Sequence, residues 1–222
     1  LISFVDFAPT LLDLTGTGSE GMLPITGRSF KNILTSKKQG LVDESRKYVF
    51  SGRERHSSSR YLNWGYPQRA IRTQEYLLIW NQKPERWPAG APQRINPEGG
   101  LFPMYGIDEN GAHHSEWAFT DIDECPTKAY LIENHSGDSI RPYFNLAVAK
   151  RPEYELYNIK NDAACLHNLV AEPGYANVFA TLKQELLQEL TLTGDPRVVG
   201  PDKEIFDSYK RYSPIRDFPA PE

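Results

Sequence analysis

The sequence predicts an α+β fold: a small antiparallel sheet of about four strands, with a C-terminal helix packed on one face. Three observations predict it. Short runs rich in β-branched and aromatic residues recur at Lys47–Ser51, Ala70–Thr73, Tyr76–Trp80 and Glu155–Ile159. Tyr175, Val178, Phe179, Leu182, Leu186 and Leu190 fall on one face of a helix reaching about Leu192. Residues 1–16 form a separate apolar helix that needs a sheet or another helix to cover it.

Taken in order, Ser3 and Asp6 are placed to form a capping box ahead of Phe4, Phe7, Ala8, Leu11, Leu12 and Leu14. Gly16 is placed to end this helix, and Pro9 to bend it. Residues 17–26 read as a loop, 28–35 as a short helix, and 36–45 as a charged connection. Arg53–Gly65 is a polar, Ser-rich loop. Gln74-Glu75 separates two strands of a hairpin, without the favoured Asn-Gly turn. Seven prolines punctuate residues 82–150, where short helices are expected near Ser115–Phe119 and Thr127–Asn134. Pro173 suits the first turn of the long helix, and Thr193-Gly-Asp-Pro196 stops it. The last 25 or so residues read as an extended tail on the surface.

The 222 residues suit one or two domains, with 39% hydrophobic and 12% aromatic content. A formal net charge of −4 gives no reason to expect nucleic acid as a partner. No apolar run approaches the length of a membrane span. The two cysteines, Cys125 and Cys165, do not make a disulfide framework.

The densest chemistry lies in Ser51-Gly-Arg-Glu-Arg-His56, followed by Arg60, Asn63, Arg69 and Arg72. Arginine forks suit sulfate, phosphate or carboxylate, and Glu54 and His56 can bind sugar hydroxyls or move a proton. A solvated loop with surface ion pairs is the other reading. Trp87, beside Arg86 and flanked by prolines, either stacks on a sugar ring or covers the end of the sheet. His113 and His114, near Glu116, Asp121, Asp123 and Cys125, match no zinc spacing, so no metal site is expected there. Asn134-His-Ser136 fits a glycosylation acceptor.

Ser3-Phe-Val-Asp-Phe-Ala-Pro-Thr-Leu-Leu-Asp-Leu14, followed by Gly27-Arg-Ser-Phe-Lys-Asn-Ile-Leu34, resembles the sulfatases of the alkaline phosphatase-like superfamily. Tyr66-Pro-Gln-Arg-Ala-Ile-Arg-Thr-Gln-Glu-Tyr-Leu-Leu-Ile-Trp-Asn81 is similar to the segment opening the C-terminal subdomain of heparan N-sulfatases and their bacterial relatives. Glu155-Leu-Tyr-Asn-Ile-Lys-Asn-Asp162 and Asn168-Leu169 are similar to a further sulfatase pattern, with Ala163 standing where the family usually has Pro.

The resemblance implies that residues 1–40 are the tail of an N-terminal α/β catalytic domain and its linker, and residues 41–222 a C-terminal subdomain. The chain is then expected to be part of a longer enzyme hydrolysing sulfate esters or sulfamates on a glycosaminoglycan-type sugar. Calcium and formylglycine are expected in that parent, with no cofactor, metal ligand or catalytic residue in this chain. The family forms formylglycine in Cys/Ser-x-Pro/Ala-x-Arg, and Pro126 directly after Cys125 breaks that pattern. Glu54, Arg55, His56, Arg69 and Trp87 are the expected substrate-binding residues. Expected partners are the catalytic domain, a sulfated sugar, and a second copy through the N-terminal helix. A periplasmic, secreted or lysosomal-type compartment follows from the resemblance alone. Two alternatives stay open: a phosphoesterase or phosphonate hydrolase of the same superfamily, and a carbohydrate-binding module.

Overall fold

The structure, a computed structural model, describes residues 1–210, 212 and 216–221. Its centre is a four-stranded antiparallel meander: β1 (Val49–Arg53), β2 (Gln68–Arg72), β3 (Tyr76–Asn81) and β4 (Tyr154–Asn158), in that spatial order. The register places Phe50, Ile71, Leu78 and Leu156 in one row across the sheet. Ile71, Leu78 and Leu156 are fully buried. Helix α5 (Ala176–Leu192) covers that row with Leu182, Leu186 and Leu190. The predicted α+β architecture is the observed one, each strand shifted by no more than about two residues. The hairpin manages without Asn-Gly because Thr73 replaces that chemistry. Its Oγ1 accepts the N–H groups of Glu75 and Tyr76, at 3.1 and 2.8 Å.

The N-terminal helix begins as a 3-10 turn, Phe4–Asp6, and continues as α1 (Phe7–Thr15). Gly16 ends it in the left-handed region at φ 67°. Pro9 is the third residue of α1, in its first turn, where a missing N–H costs little. Asp6 accepts the N–H groups of Ser3 and Arg28 and a charged bond from Arg46, at 3.0, 2.8 and 2.8 Å. Thr10 accepts the Phe30 N–H, so the Gly27-Arg-Ser segment and the short helix α2 (Lys31–Leu34) are tied to α1. The buried residues of the 3-10 turn and α1 are polar, Asp6 and Thr10, whereas Phe4 is 90% exposed and Phe7, Leu11 and Leu14 also face outward. The amphipathic helix is thus inverted with respect to its own chain.

Residues 82–153 build a second cluster. Helices α3 (Pro126–Glu133) and α4 (Arg141–Val148) bury Phe119, Ile132, Phe144 and Val148 together. Helix α4 was not foreseen, and Ser115–Phe119 is a turn instead of a helix. Phe119 takes φ 50° there, a conformation that a helix cannot use. The C-terminal region is not simply an extended tail: α6 (Pro196–Val199) and α7 (Ile205–Ser208) lie within it, and Phe218 is buried. No described helix is long and apolar enough to cross a membrane.

Candidate functional site: an arginine-carboxylate loop beside the sheet

The loop after β1 is held by two charge hubs. The first is Asp121, whose side chain is 1% exposed. It accepts Arg60 at 2.6 Å and Arg53 at 2.8 Å through Oδ2, and Ser57 through Oδ1. Arg60 is itself buried, and it also donates to the carbonyls of Trp87 and Pro88. Burial pushes the Asp121 carboxyl up, but Arg60 and Arg53 outweigh it and leave it below its ordinary value.

The second hub is Glu54. Arg69 donates to it at 2.6 Å and Arg197 at 2.7 Å. Arg69 also reaches Asp195 at 2.5 Å, and Arg197 approaches Asp207, which in turn accepts Arg86 at 3.0 Å. The network therefore runs from β2 through the loop after β1 to α6 and α7. Burial lowers the affinity of Arg69 and Arg197 for their protons. Their carboxylate partners more than restore it, so both stay charged at higher pH than a free arginine. Gly65 is required here, because a Cβ would collide with the Glu54 carbonyl.

The five sequence candidates separate. Glu54 and Arg69 join each other and line a cavity of about 740 Å³ between the N-terminal segment, β1 and the end of α5. Arg55 donates to the Asn63 carbonyl at 3.0 Å. His56 has its side chain 57% exposed, with Nδ1 3.5 Å from Asp121. Trp87 stands away from this group. It packs edge-on against Phe119 in the second cluster and not over the sheet, and it lines a different cavity.

Sequence reasoning missed Asp195, Arg197 and Asp207, and did not assign Asp121 to the loop. Asp121, Asp195 and Arg197 lie 61, 126 and 143 residues from Arg60, Arg69 and Glu54, and Asp207 lies 121 residues from Arg86. The one available signal was charge balance: an arginine-rich loop destined for burial needs carboxylates from elsewhere.

His113 and His114 do not converge. His114 stacks on Trp117 and bonds Asp108, whereas the His113 Nε2 is buried without a hydrogen-bond partner. Among the described residues, no group of three or more His, Cys, Asp or Glu is arranged to hold a metal. The cysteines are free thiols, and neither lies in the formylglycine pattern.

Burial, then the nearby Lys128 ammonium, lowers the His113 pKa from 6.5 to about 4; Glu133 opposes this and His114 adds to it. The unfolded chain binds this proton more readily than the native one. Stability from this group is full above pH 6.5 and is lost as pH falls toward 4. His113→Gln is expected to flatten the slope of urea midpoints over that range. An unchanged slope would assign the acid sensitivity to other groups.

No protein-family model matches the chain. It is 26% identical over 210 residues to an ulvan-active sulfatase of Formosa agariphila, covering 93% of this chain. Along most of its length the chain is similar to a sulfatase. It spans 28% of the length of that relative. Three solved structures align with 92% of this chain. One is a complex with its substrate D-glucosamine-2-N,6-O-disulfate, at TM-score 0.46, 19% identity and 25% of that chain. The others are a 2-O GAG sulfatase and a sulfatase described as putative from Bacteroides thetaiotaomicron, each at TM-score 0.42, 16% identity and 28% of that chain. Arg53 at the end of β1 and His56 in the loop after it are the more exposed groups around the Asp121 carboxylate. Guanidinium and imidazole N–H groups are donors of the kind that suit a polar or anionic ligand.

Proposed function

We propose that this chain is the C-terminal, substrate-selecting part of a longer sulfatase that removes sulfate ester or sulfamate groups from a sulfated polysaccharide of glycosaminoglycan type. The observation that carries the reading is the similarity to a sulfatase along 93% of this chain and only 28% of that relative. The inverted helix α1 supports it. Covering Phe4, Phe7, Leu11 and Leu14 removes apolar area worth about 25 cal/mol per Å², so the catalytic domain is the proposed cover. Calcium and formylglycine belong, in this reading, to that domain.

In this reading, His56 and the Arg55 loop form the wall of the substrate pocket, and Glu54 acts through the arginines it holds. Expressing the complete reading frame and measuring inorganic sulfate released from sulfated glucosamine tests the activity. Phosphate release from a phosphate ester, with no sulfate release, would replace the reading by a phosphoesterase.

Glu54→Gln in that enzyme keeps the shape and removes the charge that pairs Arg69 with Arg197. It is expected to lower kcat/KM on the glycan by about 10- to 100-fold and to affect a small aryl sulfate less. His56→Gln, whose side chain is largely exposed, should act on the glycan without lowering the melting temperature. Equal losses on both substrates would move Glu54 from the sugar pocket to general stability.

A further inference from the structure

We propose that the cavity walled by Tyr61, Trp64, Trp87 and Tyr105 is a saccharide subsite for a sugar ring carrying an anionic group, a sulfate or a carboxylate. Its volume is about 340 Å³, within the roughly 300–1,000 Å³ of small-ligand sites. The inference rests on the sulfatase reading only for its choice of probe.

The aromatic groups are fixed before any ligand arrives. Trp87 is held edge-on by Phe119 and Tyr105 is stacked on it, while Trp64 carries the Arg86 guanidinium over its ring at 4.6 Å. Rigid indole and phenol faces suit the C–H face of a pyranose, because they contribute apolar contact at little entropic cost.

Two cations set the sign of the ligand. Lys150 is exposed, with Nζ 5.3 Å from the Trp87 ring. Among the described residues it has no carboxylate within ion-pair distance. Arg60 lines the same cavity and is 4% exposed, and its buried Nη1 has no hydrogen-bond partner although its other nitrogens are engaged. A buried donor left unpaired is costly, and an anionic group that reaches Nη1 would supply the missing partner.

The chain's own tail completes the cavity. Asp217 accepts the Ile95 N–H at 2.9 Å, Phe218 is buried, and Pro219, Ala220 and Pro221 form one wall. This subsite is separate from the Glu54–Arg69 cavity, with no lining residue in common.

The test is a tryptophan-fluorescence titration of the 222-residue chain with glucosamine 6-sulfate, glucuronic acid and glucosamine. Saturable quenching by one or both anionic sugars, at least tenfold tighter than by neutral glucosamine, is expected. The preferred anion identifies the group recognised. Lys150→Met should weaken binding on the order of tenfold. Trp87→Phe should remove most of the signal, and truncation after Phe218 should weaken binding several-fold by removing a wall. Unchanged circular dichroism and melting curves establish that the variants fold. Equal affinity for neutral and anionic sugars, no saturable quenching, or binding indifferent to Lys150 would overturn the proposal. Sulfate release reports the parent activity and this titration reports the subsite, so either can fail alone.

Discussion

Asp121→Ala is expected to lower the unfolding free energy by about 3–5 kcal/mol, the cost of leaving a buried charge without its partner. The uncompensated charge is Arg60, which is buried beside a carboxylate whose side chain is 1% exposed. For a domain of this size the loss corresponds to a melting shift of roughly 10 °C, readable by calorimetry. Arg53→Ala removes the more exposed partner of the same carboxylate, 40% exposed, and should cost only about 0–1 kcal/mol. If the two variants melt together, the hub is a surface ion pair and the loop is held by something else. The hub also has a pH signature. The Asp121 carboxyl is depressed in the fold, so its contribution is present above the ordinary value of 3.8 and is lost as pH falls through the folded value. Asp121→Asn should therefore remove part of the acid destabilisation along with part of the stability.

Leu186→Ala should have the next largest effect, about 2–5 kcal/mol in urea denaturation. Leu186 is 1% exposed and sits between the helix and the Ile71–Leu78–Leu156 row, where the sheet and α5 leave little freedom to collapse around a cavity. Leu192→Ala, on the same helix but 75% exposed, should stay within about 0.5 kcal/mol. Similar losses from both would mean that α5 is stabilised by its own helicity and not by the sheet.

The two cores differ in how far they can be read from sequence. The Leu182–Leu186–Leu190 stripe and the four strand runs carry their periods openly, because each element buries one face against a regular neighbour. The second cluster, around Phe119, hides its members in irregular chain. Phe119 is buried from a left-handed turn, and Ile132 and Phe144 come from two short helices, so no period links them. Helix α4 was missed for that reason. At the candidate site the loop 53–60 announced itself by composition, as did Arg69. Its carboxylates did not, because Asp121, Asp195 and Asp207 are ordinary acidic residues until the fold brings them to arginine.

The sequence by itself determined the α+β class, the hairpin, the long helix with its buried stripe, and the arginine-rich loop with its sulfatase resemblance. Each is written in spacing or residue type over a few neighbouring positions, where local geometry turns pattern into structure. Only the tertiary structure decided that Glu54 is shared by Arg69 and Arg197, that Asp121 neutralises Arg60, and that Trp87 lines a separate cavity with the tail. It also decided that the N-terminal 3-10 turn and α1 turn Asp6 and Thr10 inward and Phe4 and Phe7 outward. Those outcomes depend on pairing charges and filling space between distant segments. Burial makes such pairing obligatory, but it does not say in advance which distant residue will supply the partner.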